Sequence, residues 1–157
     1  MIDRQALGQF VPHKERMFLL DRVTNYSLTE LWLESEVDIT RASLFWDPQR
    51  QGVPAWVAFE YMAQSIAALS GIFGFELDRA QPKIGFIIGV RDFECGCGSF
   101  ALGNRLCIHV AQIFRDGAIV SFNCRASIGN QEIVKAIINA IEVDDQGVQS
   151  MIGNSHV

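Results

Sequence analysis

The sequence predicts an α+β fold in which an antiparallel sheet wraps one central helix. Three observations carry that prediction. The run from Pro54 to Phe75 is built of apolar and small residues around one charged side chain, Glu60. Residues 31–39 alternate apolar and polar with a period of two, the mark of a half-buried strand. Strand-like segments then follow the apolar run in succession, so one helix faces one sheet. With 157 residues, 49% hydrophobic and 20% charged, the chain can fill one core and is read as a single domain, 1–157.

Taken in order, residues 3–9 suit a short amphipathic helical turn, stopped by Gly8 and the Val11-Pro12 pair. Met17–Tyr26 and Leu31–Ile39 read as strands, and a polar loop with Pro and Gly spans Arg41 to Val53. Pro54 suits the first turn of the helix, where a missing N–H costs nothing. Ala58, Ala63, Ala67, Ala68 and Gly71 keep that cylinder thin, and a helix apolar nearly all round belongs inside the protein. Ile84–Phe93, Asn104–Phe114 and Ile119–Ile128 read as strands, with Arg115–Ala118 as the tight turn between the last two. Glu132–Val143 is ambiguous, because Ile133, Ile137 and Ile141 suit either period.

Several function classes fall away. A net charge of −5 argues against a nucleic-acid-binding surface. The N-terminus lacks the basic-then-apolar run of a secretory signal. Glu60 and Gln64 interrupt the apolar run and no basic flank anchors it, so it is not expected to span a membrane. Cys107 and Cys124 sit in apolar runs, as reduced cysteines do. Cys95 and Cys97 form one C-x-C without a second pair or a nearby His pair, so no metal site is expected. Together these point to a cytoplasmic, reduced protein.

Glu60 is the residue that calls for chemistry. A carboxyl group near the N-terminus of a dry helix is what proton transfer near neutral pH would use. Gln64 stands one turn on, where its amide can hold the carboxyl group's rotamer. The alternative is a structural Glu that snorkels to the helix edge. His13, in Phe10-Val-Pro-His-Lys14, has a side chain suited to acid–base work, although a His near a terminus is also an ordinary surface residue. His109 reads as a sheet-face residue and His156 as part of a frayed tail.

Two motifs carry a resemblance. Val11-Pro-His-Lys-Glu-Arg-Met-Phe-Leu-Leu-Asp-Arg-Val23 resembles the opening of 3-hydroxyacyl-[acyl-carrier-protein] dehydratases, and Val53-Pro-Ala-Trp-Val-Ala-Phe-Glu-Tyr-Met-Ala-Gln64 is similar to their helix motif. With Ile87–Phe93, the likeness spans nearly the whole chain and is closest to the branch tied to aryl-polyene and polyketide-like acyl synthesis. It implies the hotdog fold, a homo-oligomer of dimeric type, and active sites at the subunit interface. It places Glu60 at the acidic catalytic position and Gln64 at the glutamine one turn later. The family's usual histidine, 14 residues before the Glu, is Trp46 here, beside Asp47. No histidine lies between His13 and His109. His13 or Asp47 would then have to serve, or the protein binds acyl thioesters without dehydrating them.

The resemblance implies loss of water from a 3-hydroxyacyl thioester to give a trans-2-enoyl thioester, with His13 as base at C2 and Glu60 as acid at the C3 hydroxyl. The N–H groups of Trp56, Val57 and Ala58 at the helix start would polarise the thioester carbonyl. No metal or organic cofactor is required. The substrate rides on the phosphopantetheine of an acyl carrier protein, or on coenzyme A as an acyl-CoA. An acidic carrier needs a basic patch, for which Arg22, Lys83, Arg91 and Arg105 are the candidates. A hotdog acyl-thioesterase and a non-catalytic acyl-carrier-binding subunit are the alternatives.

Overall fold

The computed structural model describes residues 1–10, 17–78 and 84–143. Its strands are β1 (Ile2–Asp3), β2 (Arg22–Ser27), β3 (Trp32–Asp38), β4 (Gly52–Pro54), β5 (Ile84–Cys95), β6 (Ser99–Ala101), β7 (Arg105–Asp116), β8 (Ile119–Ile128) and β9 (Gln131–Val143). Two helices accompany them. The short α1 (Arg4–Leu7) is capped by the Asp3 carboxylate, which accepts the Ala6 N–H at 2.9 Å. The long α2 (Ala58–Phe73) is entered through a 3₁₀ turn at Ala55–Val57 and continued by a π turn at Gly74–Asp78. The helix expected over Pro54–Phe75 is thus present, with irregular turns at both ends.

Seven strands form one antiparallel sheet in the order β1-β2-β3-β7-β8-β9-β5, and β4 pairs with β6 in a separate ribbon. Burial follows the pleat: in β3, Leu33, Ser35 and Val37 face inward, and in β7 Leu106, Ile108 and Val110 do the same. They meet Ala58, Met62, Ile66, Leu69 and Ile72 of α2, so the helix supplies one wall of the core and the sheet the other. Register shifts insert bulges in β2, β5, β7 and β9, which bend a sheet. A sheet bent around one long helix is the hotdog fold.

The ambiguous segment is a strand. Val134, Ala136, Ile138 and Ala140 point inward, while Ile133, Ile137 and Ile141 occupy the other face and are half-buried. Because both faces carry isoleucine, the alternation is hidden in the sequence. The turn before it, at Gly129, and the one at Gly117 both use a φ of +59°, which glycine adopts without strain.

The strand expected from Met17 begins only at Arg22. Residues 17–21 leave the ladder because their backbone groups are engaged elsewhere: Leu19 N–H and Met17 C=O bond to Gln64, and Phe18 C=O to Arg4. Asp21 N–H, at 3.0 Å from Glu36 O, is the first to turn toward β3.

Candidate active site

The site grows from the first two turns of α2. Glu60 lies in the first turn and is half-buried, so the carboxyl group reaches the edge of the core rather than its centre. Gln64, one turn later, is fully buried. Its Oε1 accepts the Leu19 N–H at 2.8 Å, and its Nε2 donates to Met17 O at 2.6 Å and to Glu60 Oε1 at 3.3 Å. An N–H can only donate and a carbonyl only accept, so these partners fix which way round the amide sits. Sequence reasoning found the contact with Glu60 but missed the two shorter bonds to residues 17 and 19. Nothing in the helix itself signals them; the signal lies in a strand-like run that starts five residues late.

The carbonyl group of Phe10 lies directly against Gly71, where a Cβ would overlap it, and the Phe10 ring stacks edge-on with Phe75 at 5.4 Å. The described residues on either side of His13 are therefore both seated on α2, Phe10 at Gly71 and Met17 at Gln64. His13, Lys83 and His156 themselves lie outside the described residues.

Beside this corner opens a cleft of about 660 Å³, walled by Phe18, Leu19, Tyr61, Leu44 and Phe45, with Arg4, Asp21 and Asp38 at its polar end. That volume is within the range of small-ligand sites. Glu60 does not line it; the link is Leu19, which touches the cleft and bonds to Gln64. Burial pushes the Tyr61 hydroxyl well above its ordinary value, with the Asp21 carboxylate adding to the effect, so Tyr61 holds its proton as a neutral wall of the cleft.

Three expectations change on inspection of the geometry. The helix start does not offer all three of the expected N–H groups, because the Ala58 N–H bonds back to the Ala55 and Trp56 carbonyls. The Asp47 carboxylate is engaged within its own loop, where it accepts the Gln49 N–H at 2.9 Å and pairs with Arg50 at 3.3 Å. Arg22 and Arg105 do not form a basic patch. Arg22 bonds to Glu36 and Asp38 at 2.6 Å each, and Arg105 to Asp38 at 2.6 Å, so the cluster is neutralised. Burial would lift the Asp38 carboxyl, but the hydrogen bonds from Arg22 and Arg105 outweigh it and hold it below the ordinary carboxylate range. Arg91, on β5, is exposed. His109 is the sheet-face residue expected of it, stacked on Trp32 at 5.7 Å.

Among the described residues, no group of three or more His, Cys, Asp or Glu side chains could hold a metal ion, and no helix is long and apolar enough to cross a membrane. The four cysteines are free.

Comparison with known proteins places this geometry. The model of the ApeP-like family, described as ApeP dehydratase, matches residues 5–152. The dehydratase heterocomplex ApeI:P from Xenorhabdus doucetiae contains a chain similar to this one at 26% identity and a TM-score of 0.83, over 93% of this chain and 96% of that one. A hypothetical thioesterase with coenzyme A from Streptococcus pneumoniae TIGR4 shares the fold at 7% identity and a TM-score of 0.61, over 78% and 84% of the two chains. The hexameric thioesterase y2039 from Yersinia pestis does so at 13% identity and 0.54, over 71% and 87%. The thioesterases share only the architecture, whereas the family model and the ApeI:P chain each match nearly the whole of this chain. This chain belongs to the ApeP-like dehydratase family.

Proposed function

We propose that this dehydratase removes water from a 3-hydroxyacyl thioester, carried on the phosphopantetheine arm of an acyl carrier protein, to give the trans-2-enoyl thioester of an aryl-polyene-type synthesis. The observation that carries the reading is the Gln64 side chain, which joins Glu60 to the backbone leading away from His13. His13 is four residues before Met17, a reach of at most about 14 Å, so one short segment separates the two groups. His13 takes the C2 proton as base. Glu60 delivers a proton to the departing C3 hydroxyl as acid. Any polarisation of the thioester carbonyl by the helix start falls to the Trp56 and Val57 N–H groups and the helix dipole. The reaction asks for no metal or organic cofactor.

The protein works in the cytoplasm as an oligomer of dimeric type. The edge strand β5 supports this: it is 12 residues long and exposes Ile87, Ile88, Val90 and Phe93, a row that invites pairing with another chain. A relative is described as part of a heterocomplex, so a second hotdog subunit is as fitting a partner as a second copy. Among the described candidates, exposed Arg91, on the same strand, is the one left for carrier docking.

The test is product identity. The protein, alone and with a second hotdog subunit, is given a 3-hydroxyacyl-carrier substrate while enoyl-thioester absorbance and free thiol are followed together. Rising absorbance without thiol supports the proposal. Thiol release would make it a thioesterase, and carrier binding without either signal would make it a non-catalytic subunit.

A further inference from the structure

Cys95 and Cys97 flank Gly96 at the turn between β5 and β6, and their sulfurs are 3.9 Å apart. Both are part-buried, within reach of small solutes. The other two cysteines differ. Cys124 is fully buried, and burial pushes its thiol up to about 12. Cys107 sits near the start of β7, where burial and the carboxylates of Glu34 and Glu36 push its thiol up. The turn is anchored on both sides: Gly96 N–H bonds to Ile133 O at 2.8 Å, and Gly98 O accepts the Ala55 N–H and an Arg50 N–H, each at 3.1 Å. Two thiols are thus held side by side, one turn of backbone from the entry to α2.

We propose that Cys95 and Cys97 form a redox-active dithiol that closes reversibly to an intrachain disulfide by exchange with a small-molecule disulfide. The Cys95 thiolate attacks one sulfur of the oxidant, the S–S bond breaks and the other sulfur leaves as a thiolate, so a mixed disulfide with the attacked half remains on Cys95. Cys97 loses its proton and attacks the Cys95 sulfur, and the second half of the oxidant leaves. Two electrons pass from the dithiol to the oxidant, and the two thiol protons go to solvent or to the departing thiolates. The order follows from the surroundings: burial, then the hydrogen bond to Cys95 and its charge, push the Cys97 thiol up, which makes Cys97 the second, resolving thiol. A ring closed across one residue is strained, which puts it among the labile disulfides rather than the structural ones.

The test equilibrates the full-length protein with mixtures of reduced and oxidised glutathione, traps thiols by alkylation, and maps peptides by mass spectrometry. The expected result is a loss of two hydrogens confined to one peptide that joins Cys95 to Cys97, reversed by added dithiothreitol. Cys97→Ser should leave a glutathione adduct on Cys95, and Cys95→Ser should leave Cys97 largely unmodified. Four alkylated thiols in oxidised glutathione would overturn the proposal, as would a lasting glutathione adduct on Cys95 in the wild type. The wild-type map decides the matter even if a variant folds poorly.

Discussion

The Gln64 side-chain carbonyl accepts the Leu19 backbone N–H at 2.8 Å, across 45 residues of sequence. Its nitrogen meanwhile holds Met17 O and Glu60 Oε1. The amide is fully buried and uses one acceptor and both donors, so no other side chain satisfies the same three partners. Gln64→Glu would accept from Leu19 but turn a carboxylate toward the Met17 carbonyl and the Glu60 carboxyl group. We predict that Gln64→Glu and Gln64→Ala each destabilise the fold by roughly 2–4 kcal/mol, as buried polar groups lose their partners. Denaturant unfolding measures the loss. Turnover should fall further than stability, and an unchanged rate would show that the tether does not serve the chemistry.

Phe10 and Gly71 give a second handle on the same segment. A methyl group at Gly71 would strike the Phe10 carbonyl, which is backbone and cannot swing aside. Gly71→Ala should cost about 1–3 kcal/mol through overpacking, more than the ~1 kcal/mol that alanine returns in helix propensity. The expected outcome is a lower thermal midpoint together with reduced dehydration. A rise in midpoint would mean that Phe10 yields easily.

Much of this arrangement was legible in the sequence. The apolar run from Pro54 reads as one helix and the alternation in residues 31–39 as one strand, because neither period has an alternative there, whereas Glu60 itself stayed open between a catalytic and a snorkelling carboxyl group. The late start of β2 was not legible, since the helix side chain that diverts residues 17–19 is 45 residues away. Nor could the sequence tell that Arg22 and Arg105 meet Asp38, a match made by the register of β2, β3 and β7 rather than by spacing. β9 stayed open because isoleucine lies on both of its faces.

The same cluster sets an acid limit. The folded Asp38 carboxyl titrates below its unfolded counterpart, so its contribution is fully present above about pH 4 and is lost as the pH falls through the folded value. Asp38→Asn should be less stable than the wild type at pH 6, by roughly 1–3 kcal/mol. The gap should close toward pH 3. Thermal melts at the two pH values measure it, and a gap that stays constant would place the stabilising charge elsewhere.

The central claim is that the Glu60 carboxyl group moves a proton during water loss. Its most direct measurement is the single-turnover rate of enoyl-thioester formation by Glu60→Gln, which keeps the shape and the contact with Gln64 but carries no transferable proton. The expected result is a fall of about 10²–10⁴-fold with carrier binding retained. A variant that dehydrates at the wild-type rate would contradict it.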